Sequence, residues 1–244
     1  MKINIKRFNS ELSEQNYISE FSTNKSNLLQ AIIEIKNTQD NSLAFRCGCK
    51  SGVCGSCAVK VNDIEKLACK TTIKDNDFIE PIKNTKVIKD LVVDVSHETL
   101  LIQKMGLSIS EDNYTDKVTQ QDIKKIDLQS NCILCNSCYS SCTVYDVNKS
   151  FLGPFALTRA LRYVNDKKVE NKIPILDSIQ TSGIWDCTLC SACTLVCPQN
   201  IDPKADIMQL QNISVQNGYT NPYVQDISFD SFGDDFGGFN PNGF

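Results

Sequence analysis

The stretch CKSGVCGSC, residues 49–57, decides how the first half of the chain is read. Cys49, Cys54 and Cys57 are spaced C-x4-C-x2-C, and Cys69 follows after eleven more residues. This is the plant-type spacing, in which a tight loop wraps three thiolates around a pair of irons and a distant segment supplies the fourth. The expected cofactor is a [2Fe-2S] cluster on Cys49, Cys54, Cys57 and Cys69. Gly48, Gly52 and Gly55, interleaved with Ser51 and Ser56, let the backbone turn left-handed and approach closely, so that amide N–H groups can point at the sulfurs. A structural zinc site is the competing reading, but zinc prefers two C-x2-C pairs and this set has one.

Working outward, Lys2 to Phe8 alternates as a strand, Asn16 to Phe21 follows as a second, and Leu28, Leu29, Ile32, Ile33 and Ile35 have helical spacing. After the cysteine loop come a strand at Ala58 to Val61, a turn at Asn62-Asp63 and a further strand around Cys69. The order resembles the β-grasp fold of plant-type ferredoxins. From Val87 the pattern turns helical, with Leu91, Val92, Val95, Thr99 and Ile102 on one face, and a polar linker runs from Ser108 to Asp122.

The second half repeats itself. Cys132-x2-Cys135-x2-Cys138-x3-Cys142 recurs 55 residues later as Cys187-x2-Cys190-x2-Cys193-x3-Cys197. Each run suits a cubane, and in two-cluster ferredoxins the fourth cysteine of each run ligates the other cluster. One [4Fe-4S] cluster is therefore expected on Cys132, Cys135, Cys138 and Cys197, and another on Cys187, Cys190, Cys193 and Cys142. Pro198 closes the second run, whereas Thr143 stands at that place in the first; proline is not a ligand. Between the runs, Gly153-Pro154 starts a helix through Tyr163. The fold class is α+β: a β-grasp plant-type ferredoxin domain over 1–105, an all-helical two-cubane ferredoxin domain over 106–217, and a tail over 218–244. That tail, with Phe229, Phe232, Phe236, Phe239 and Phe244 among Asn, Gly and Asp, is expected to be disordered or ordered by a partner.

Composition narrows the alternatives. The chain has 244 residues, 41% hydrophobic, with a net charge of -4, so it can build a real core and lacks the basic excess that nucleic-acid binding needs. No apolar run approaches the roughly 18 residues of a membrane span. No secretory signal is visible at Met1-Lys-Ile-Asn-Ile, so cytoplasmic, reduced thiols are the default and disulfides are disfavoured.

Twelve of the thirteen cysteines are thus accounted for, and Cys47 is left over as a bystander or substitute ligand. His97 is the only histidine, which excludes a two-histidine Rieske site within the chain; it reads as a structural or surface residue. Trp185 reads as packing that shields a cluster. No nucleophile-base pair, carboxylate dyad or phosphate loop stands out.

The pieces "CKSGVCGSC" with "LAC", "VIKDLVVDVSH", "CILCNSCYSSC", "FLGPFALTRALRYVND" and "WDCTLCSACTLVCPQNIDP" together resemble the iron-sulfur subunit of succinate dehydrogenase and fumarate reductase. The resemblance implies a flavoprotein partner carrying FAD that oxidises succinate or reduces fumarate, and a membrane-associated partner that exchanges electrons with quinone. It implies that Cys49, Cys54, Cys57 and Cys69 hold the flavin-proximal cluster and Cys132, Cys135, Cys138 and Cys197 the middle one. Cys142, Cys187 and Cys193 would belong to the cluster nearest the quinone. No substrate chemistry falls on this chain, which would sit peripherally at the cytoplasmic face of the inner membrane. Cys190 departs from the common pattern, in which a non-cysteine residue leaves a [3Fe-4S] cluster; here a [4Fe-4S] cluster is expected. Thr143, Val144, Tyr145 and Asp146 replace the aromatic residues usual there. Both departures look like the non-classical members, whose partner is a cysteine-rich protein similar to a heterodisulfide reductase subunit. The alternatives are a soluble ferredoxin-like carrier serving a thiol-linked fumarate reductase or heterodisulfide-reductase-like system, and a zinc-stapled scaffold.

Overall fold

Alternation of Ile3 and Ile5 against polar neighbours gives the founding strand β1 (Lys2–Asn9), whose apolar face is fully buried. In the computed structural model, which describes residues 1–9, 13–109 and 117–224, β1 pairs antiparallel with β2 (Ser13–Ser22) and parallel with β5 (Asp77–Glu80). β3 (Ala58–Val61) and β4 (Ile64–Leu67) form a hairpin about Asn62 and Asp63, both left-handed, and β3 continues the sheet beside β5. Helix α1 (Leu28–Thr38) starts where Asn27 accepts the Gln30 N–H, and it buries Leu28, Leu29, Ala31, Ile32 and Ile35 against the sheet.

Two local expectations are corrected. Residues 87–93 are not helical: β6 (Val87–Lys89) and β7 (Val92–Val93) form an edge hairpin, joined to β1 at Asn9 and Lys89. Three of their five residues are valine, whose branched side chains favour the pleat. The turn between them is locked by Asp90, which is 1% exposed and accepts from Arg7 Nε at 2.9 Å, the Phe8 N–H at 3.1 Å and the Ala44 N–H at 2.8 Å. A helix through Asp90 would break all three bonds. Cys69, expected in a strand, lies in a single 3₁₀ turn, Ala68–Lys70, just after β4.

Helix α2 (His97–Lys104) leaves the sheet, and its Leu101 and Ile102 pack, with Met105 and Leu107, on a second core. Short helices follow: α3 (Gln120–Lys124), α4 (Asp127–Ser130), α5 (Ser137–Ser140) and α6 (Thr143–Val147). The long helix α7 (Pro154–Val164) starts at Gly153-Pro154 as expected and is buried along most of its length. α8 (Ile173–Ser178), α9 (Ala192–Leu195) and α10 (Pro203–Gln216) complete the half. α4, α7 and α10 meet at buried Asp206, which accepts from Gln129 and Thr158, each at 2.8 Å. The architecture is α+β, with a sheet-based N-terminal part and a helical C-terminal part, each with its own core. Among the described residues no helix is long and apolar enough to cross a membrane. The five tail phenylalanines lie outside the described residues.

Candidate iron-sulfur centres

The plant-type loop is coiled so that its amides face its sulfurs. The Ser51 and Val53 N–H groups donate to Cys49 Sγ at 3.4 and 3.3 Å, and the Cys49 N–H donates to Cys54 Sγ at 3.4 Å. The Ser51 hydroxyl and these amides hold the Cys49 thiol well below the ordinary range, at about 5. Left-handed Lys50, Gly52 and Gly55 make the coil possible. Cys57 immediately precedes β3 and is buried, and that burial pushes its thiol up to about 11. The Ala68 N–H donates to the Cys57 carbonyl at 3.0 Å, and this pairing carries the 3₁₀ turn, and Cys69 with it, to the Cys57 side of the loop.

The two runs exchange their last cysteines. Cys132, Cys135 and Cys138 line one cavity together with Cys197, closed by Phe155 and Ile201. Cys187, Cys190 and Cys193 line another together with Cys142, closed by Phe151 and Ile207. The repeat extends to rare backbone. Leu134 and Leu189 have φ of 53° and 55°, and Asn136 and Ser191 have 62° and 69°. A left-handed leucine is uncommon and costs on the order of 1–3 kcal/mol, so its recurrence at equivalent places marks a conformation that the site requires. Its effect is to turn an amide onto a sulfur: the Leu189 N–H lies 3.4 Å from Cys187 Sγ, and the Leu134 N–H likewise favours the Cys132 thiolate.

Burial pushes most of these thiols up, Cys138 well above the ordinary range and Cys193 to about 12. Cys190 goes the other way: it is exposed, and the Ala192 N–H lowers it. The donor sets fit iron-sulfur clusters. Each cavity is ringed by four thiols and no imidazole, and backbone amides are aimed at sulfur in all three sets.

Comparison with known proteins agrees. The chain is 34% identical over 232 residues to the fumarate reductase iron-sulfur subunit of Haemophilus influenzae, with 86% of this chain and 91% of the relative covered. The chain belongs to the fumarate reductase iron-sulfur subunit family. The family member from an Escherichia coli O6:H1 strain is 33% identical over the same shares. The 8-methylmenaquinol:fumarate reductase iron-sulfur subunit of Wolinella succinogenes is 34% identical, over 89% of this chain and 74% of the relative. Residues 2–99 match a 2Fe-2S iron-sulfur cluster binding domain and residues 129–201 a 4Fe-4S dicluster domain. A chain of the Mycobacterium smegmatis Sdh1 complex in the apo form shares the fold, with a TM-score of 0.74 at 24% identity, over 91% of this chain and 98% of that one. The protein is thus an iron-sulfur electron-transfer subunit of a multi-subunit oxidoreductase, carrying 2Fe-2S and 4Fe-4S domains.

The remaining singled-out residues lie around the subunit's cluster loops. Cys47 is exposed beside the first set. Trp185 packs half-buried on the second core and donates from Nε1 to Gln180 at 2.9 Å. His97 opens α2 and stands edge-on to Tyr139, with 5.1 Å between ring centroids. Sequence reasoning missed the ties between the two halves. The Ser140 hydroxyl donates to Glu65 at 2.6 Å, Asn84 Nδ2 to the Tyr139 carbonyl at 2.8 Å, Asn136 Nδ2 to Glu98, and Gln199 Nε2 to the Gly52 carbonyl at 3.0 Å. Every one of these ends on a cysteine loop or beside a candidate ligand, and no local motif announces any of them.

Proposed function

We propose that this chain is the electron conduit of a succinate dehydrogenase or fumarate reductase complex, between an FAD flavoprotein and a membrane-associated, quinone-reactive subunit. Cys49, Cys54, Cys57 and Cys69 hold [2Fe-2S]; Cys132, Cys135, Cys138 and Cys197 hold one [4Fe-4S]; Cys142, Cys187, Cys190 and Cys193 hold the second. Bound clusters of these types take up and release single electrons, which lets a two-electron flavin and a two-electron quinone be joined in one-electron stages. The chain's own residues bind, shield and orient. Apolar walls around half-buried thiols limit water at the middle set, while the amides aimed at sulfur stabilise added negative charge.

The single observation that carries the reading is the crossed lining of the two cavities, three cysteines from one run and one from the other in each. Exposure supports the direction of travel along the chain. Cys49 and Cys54 are exposed at one end and Cys190 at the other, while none of the middle set is exposed. Two partners, one at each end, suit that distribution. The proposed division is 1–105, 106–217 and the tail 218–244, with α2 belonging in sequence to the first part and resting on the core of the second. The quinol named for the Wolinella relative fits the quinone-side role. Cys190 and the Thr143 to Asp146 segment favour a cysteine-rich membrane partner, with the chain held peripherally at the cytoplasmic face of the inner membrane. The test is anaerobic purification from the native host. A brown complex with a flavoprotein bearing covalent FAD and about ten irons on this chain (two, four and four) is expected. A protein that purifies alone, or one that binds zinc, refutes it.

A further inference from the structure

We infer that Gly55 and Gln199 are positioning residues that fix the spacing between the first two cluster sites. The inference rests on the ligand sets proposed above and adds residues that those sets do not contain. Gly55 lies between Cys54 and Cys57. A β-carbon built there would sit 2.7 Å from the Ile133 carbonyl oxygen and 2.9 Å from the Cys135 Cα. Those are backbone atoms and cannot step aside as a flexible side chain would. With φ of +71°, the position also disfavours any residue except glycine. The plant-type loop is therefore seated backbone to backbone on a middle-set cysteine, with no room for a side chain between them.

The same loop is held from a second side. Gln199 Nε2 donates to the Gly52 carbonyl at 3.0 Å, and Gly52 lies between Cys49 and Cys54. Gln199 itself follows Cys197 by two residues. One loop is thus fixed to Cys135 of the first run and to the neighbourhood of Cys197 of the second, the two runs that jointly make the middle set. A neutral hydrogen bond contributes modestly to stability, about 0.5–1.5 kcal/mol, so the Gln199 bond matters chiefly for where it holds the loop. Other bonds also join the halves: the Ser140 hydroxyl donates to Glu65 at 2.6 Å and Asn84 Nδ2 to the Tyr139 carbonyl at 2.8 Å. Removing Gln199 therefore frees the loop without parting the halves.

The test uses the whole chain in its complex, loaded and fully reduced, and reads the magnetic interaction between the [2Fe-2S] cluster and its [4Fe-4S] neighbour as the spin relaxation of the [2Fe-2S] signal. Gln199→Leu is expected to retain all its iron and the midpoint potential of each cluster, while the interaction weakens and relaxation slows. Gly55→Ala is expected to weaken it further. A purely structural role would alter cluster content or potentials together with the interaction. Unchanged relaxation in a Gln199→Leu protein with its full iron overturns the inference. Wild-type protein lacking either signal fails the ligand reading itself, and the inference with it, so the two failures are told apart.

Discussion

Replacing Cys190 with valine removes the one exposed thiol of the third candidate set. Cys190 is exposed, its thiolate is favoured by the Ala192 N–H, and the Thr143 hydroxyl lies 3.9 Å from its sulfur. Valine offers no ligating atom, and at an exposed position its extra bulk leaves the three inner partners in place: Cys142 and Cys193 are buried, and Cys187 is half-buried. The loss should therefore be one iron atom, from about ten to about nine per chain, with a three-iron core held by Cys142, Cys187 and Cys193. Cys193→Val gives the contrast. Its sulfur points inward, 7% exposed, with the thiol pushed up to about 12, so its removal takes away an inner support and the whole third cluster, leaving about six irons. Anaerobic iron and labile-sulfide assays give the counts, and the air-oxidised Cys190→Val protein should show the near-isotropic paramagnetic resonance signal of a three-iron core. An unchanged iron count and spectrum in Cys190→Val would refute the assignment. So would anaerobic wild-type protein that already shows the three-iron signal at about one spin per chain.

Gly153→Ala should destabilise the helical half by at least about 2 kcal/mol, because φ is +84° there and the added carbon runs into the buried Tyr139 ring; the shift of the denaturant midpoint measures it. His97 supplies a pH dependence. Burial lowers its pKa below the ordinary 6.5, although Asn136 and Asp94 pull the other way. The unfolded chain thus binds a proton more readily than the folded one, and stability should fall as pH drops below 6.5. His97→Gln should flatten the thermal midpoint between about pH 7.5 and 5.5 relative to wild type; parallel curves would remove His97 as the source.

Much of the site was legible because cluster chemistry is written in short spacings. The C-x4-C-x2-C-x11-C set and the repeated C-x2-C-x2-C-x3-C runs pick out the twelve candidate ligands, and the crossed sharing is what the repeat leads one to expect. The strand alternation of β1 and the spacing in α1 were equally local. The segment from Val87 misled because Leu91, Val92 and Val95 also satisfy a helical period, while the deciding contact is Asp90 with Arg7, 83 residues away in sequence. Cys69 falls outside the strand expected around it because β4 ends two residues before it, at Leu67, and the chain then tightens into the 3₁₀ turn. Gln199 on Gly52 joins positions 147 apart. Glutamine in a polar loop carries no signal of such a contact, and only the folded chain reveals it.

The exchange of Cys142 and Cys197 between the two runs bears on how the molecule is made. On the proposed ligand sets, the middle site opens at Cys132 and closes only at Cys197, 65 positions further along. At translation speeds of about 5–20 residues per second, Cys132, Cys135 and Cys138 wait on the order of 3–13 s for their fourth partner to be synthesised. The third site waits in the reverse sense, since Cys142 emerges first and its three partners last. On those sets neither half of the repeat can be loaded by itself, so iron delivery to both cubane sites has to follow synthesis of the second run, and a chain cut short after the first run leaves four orphan thiols at these sites.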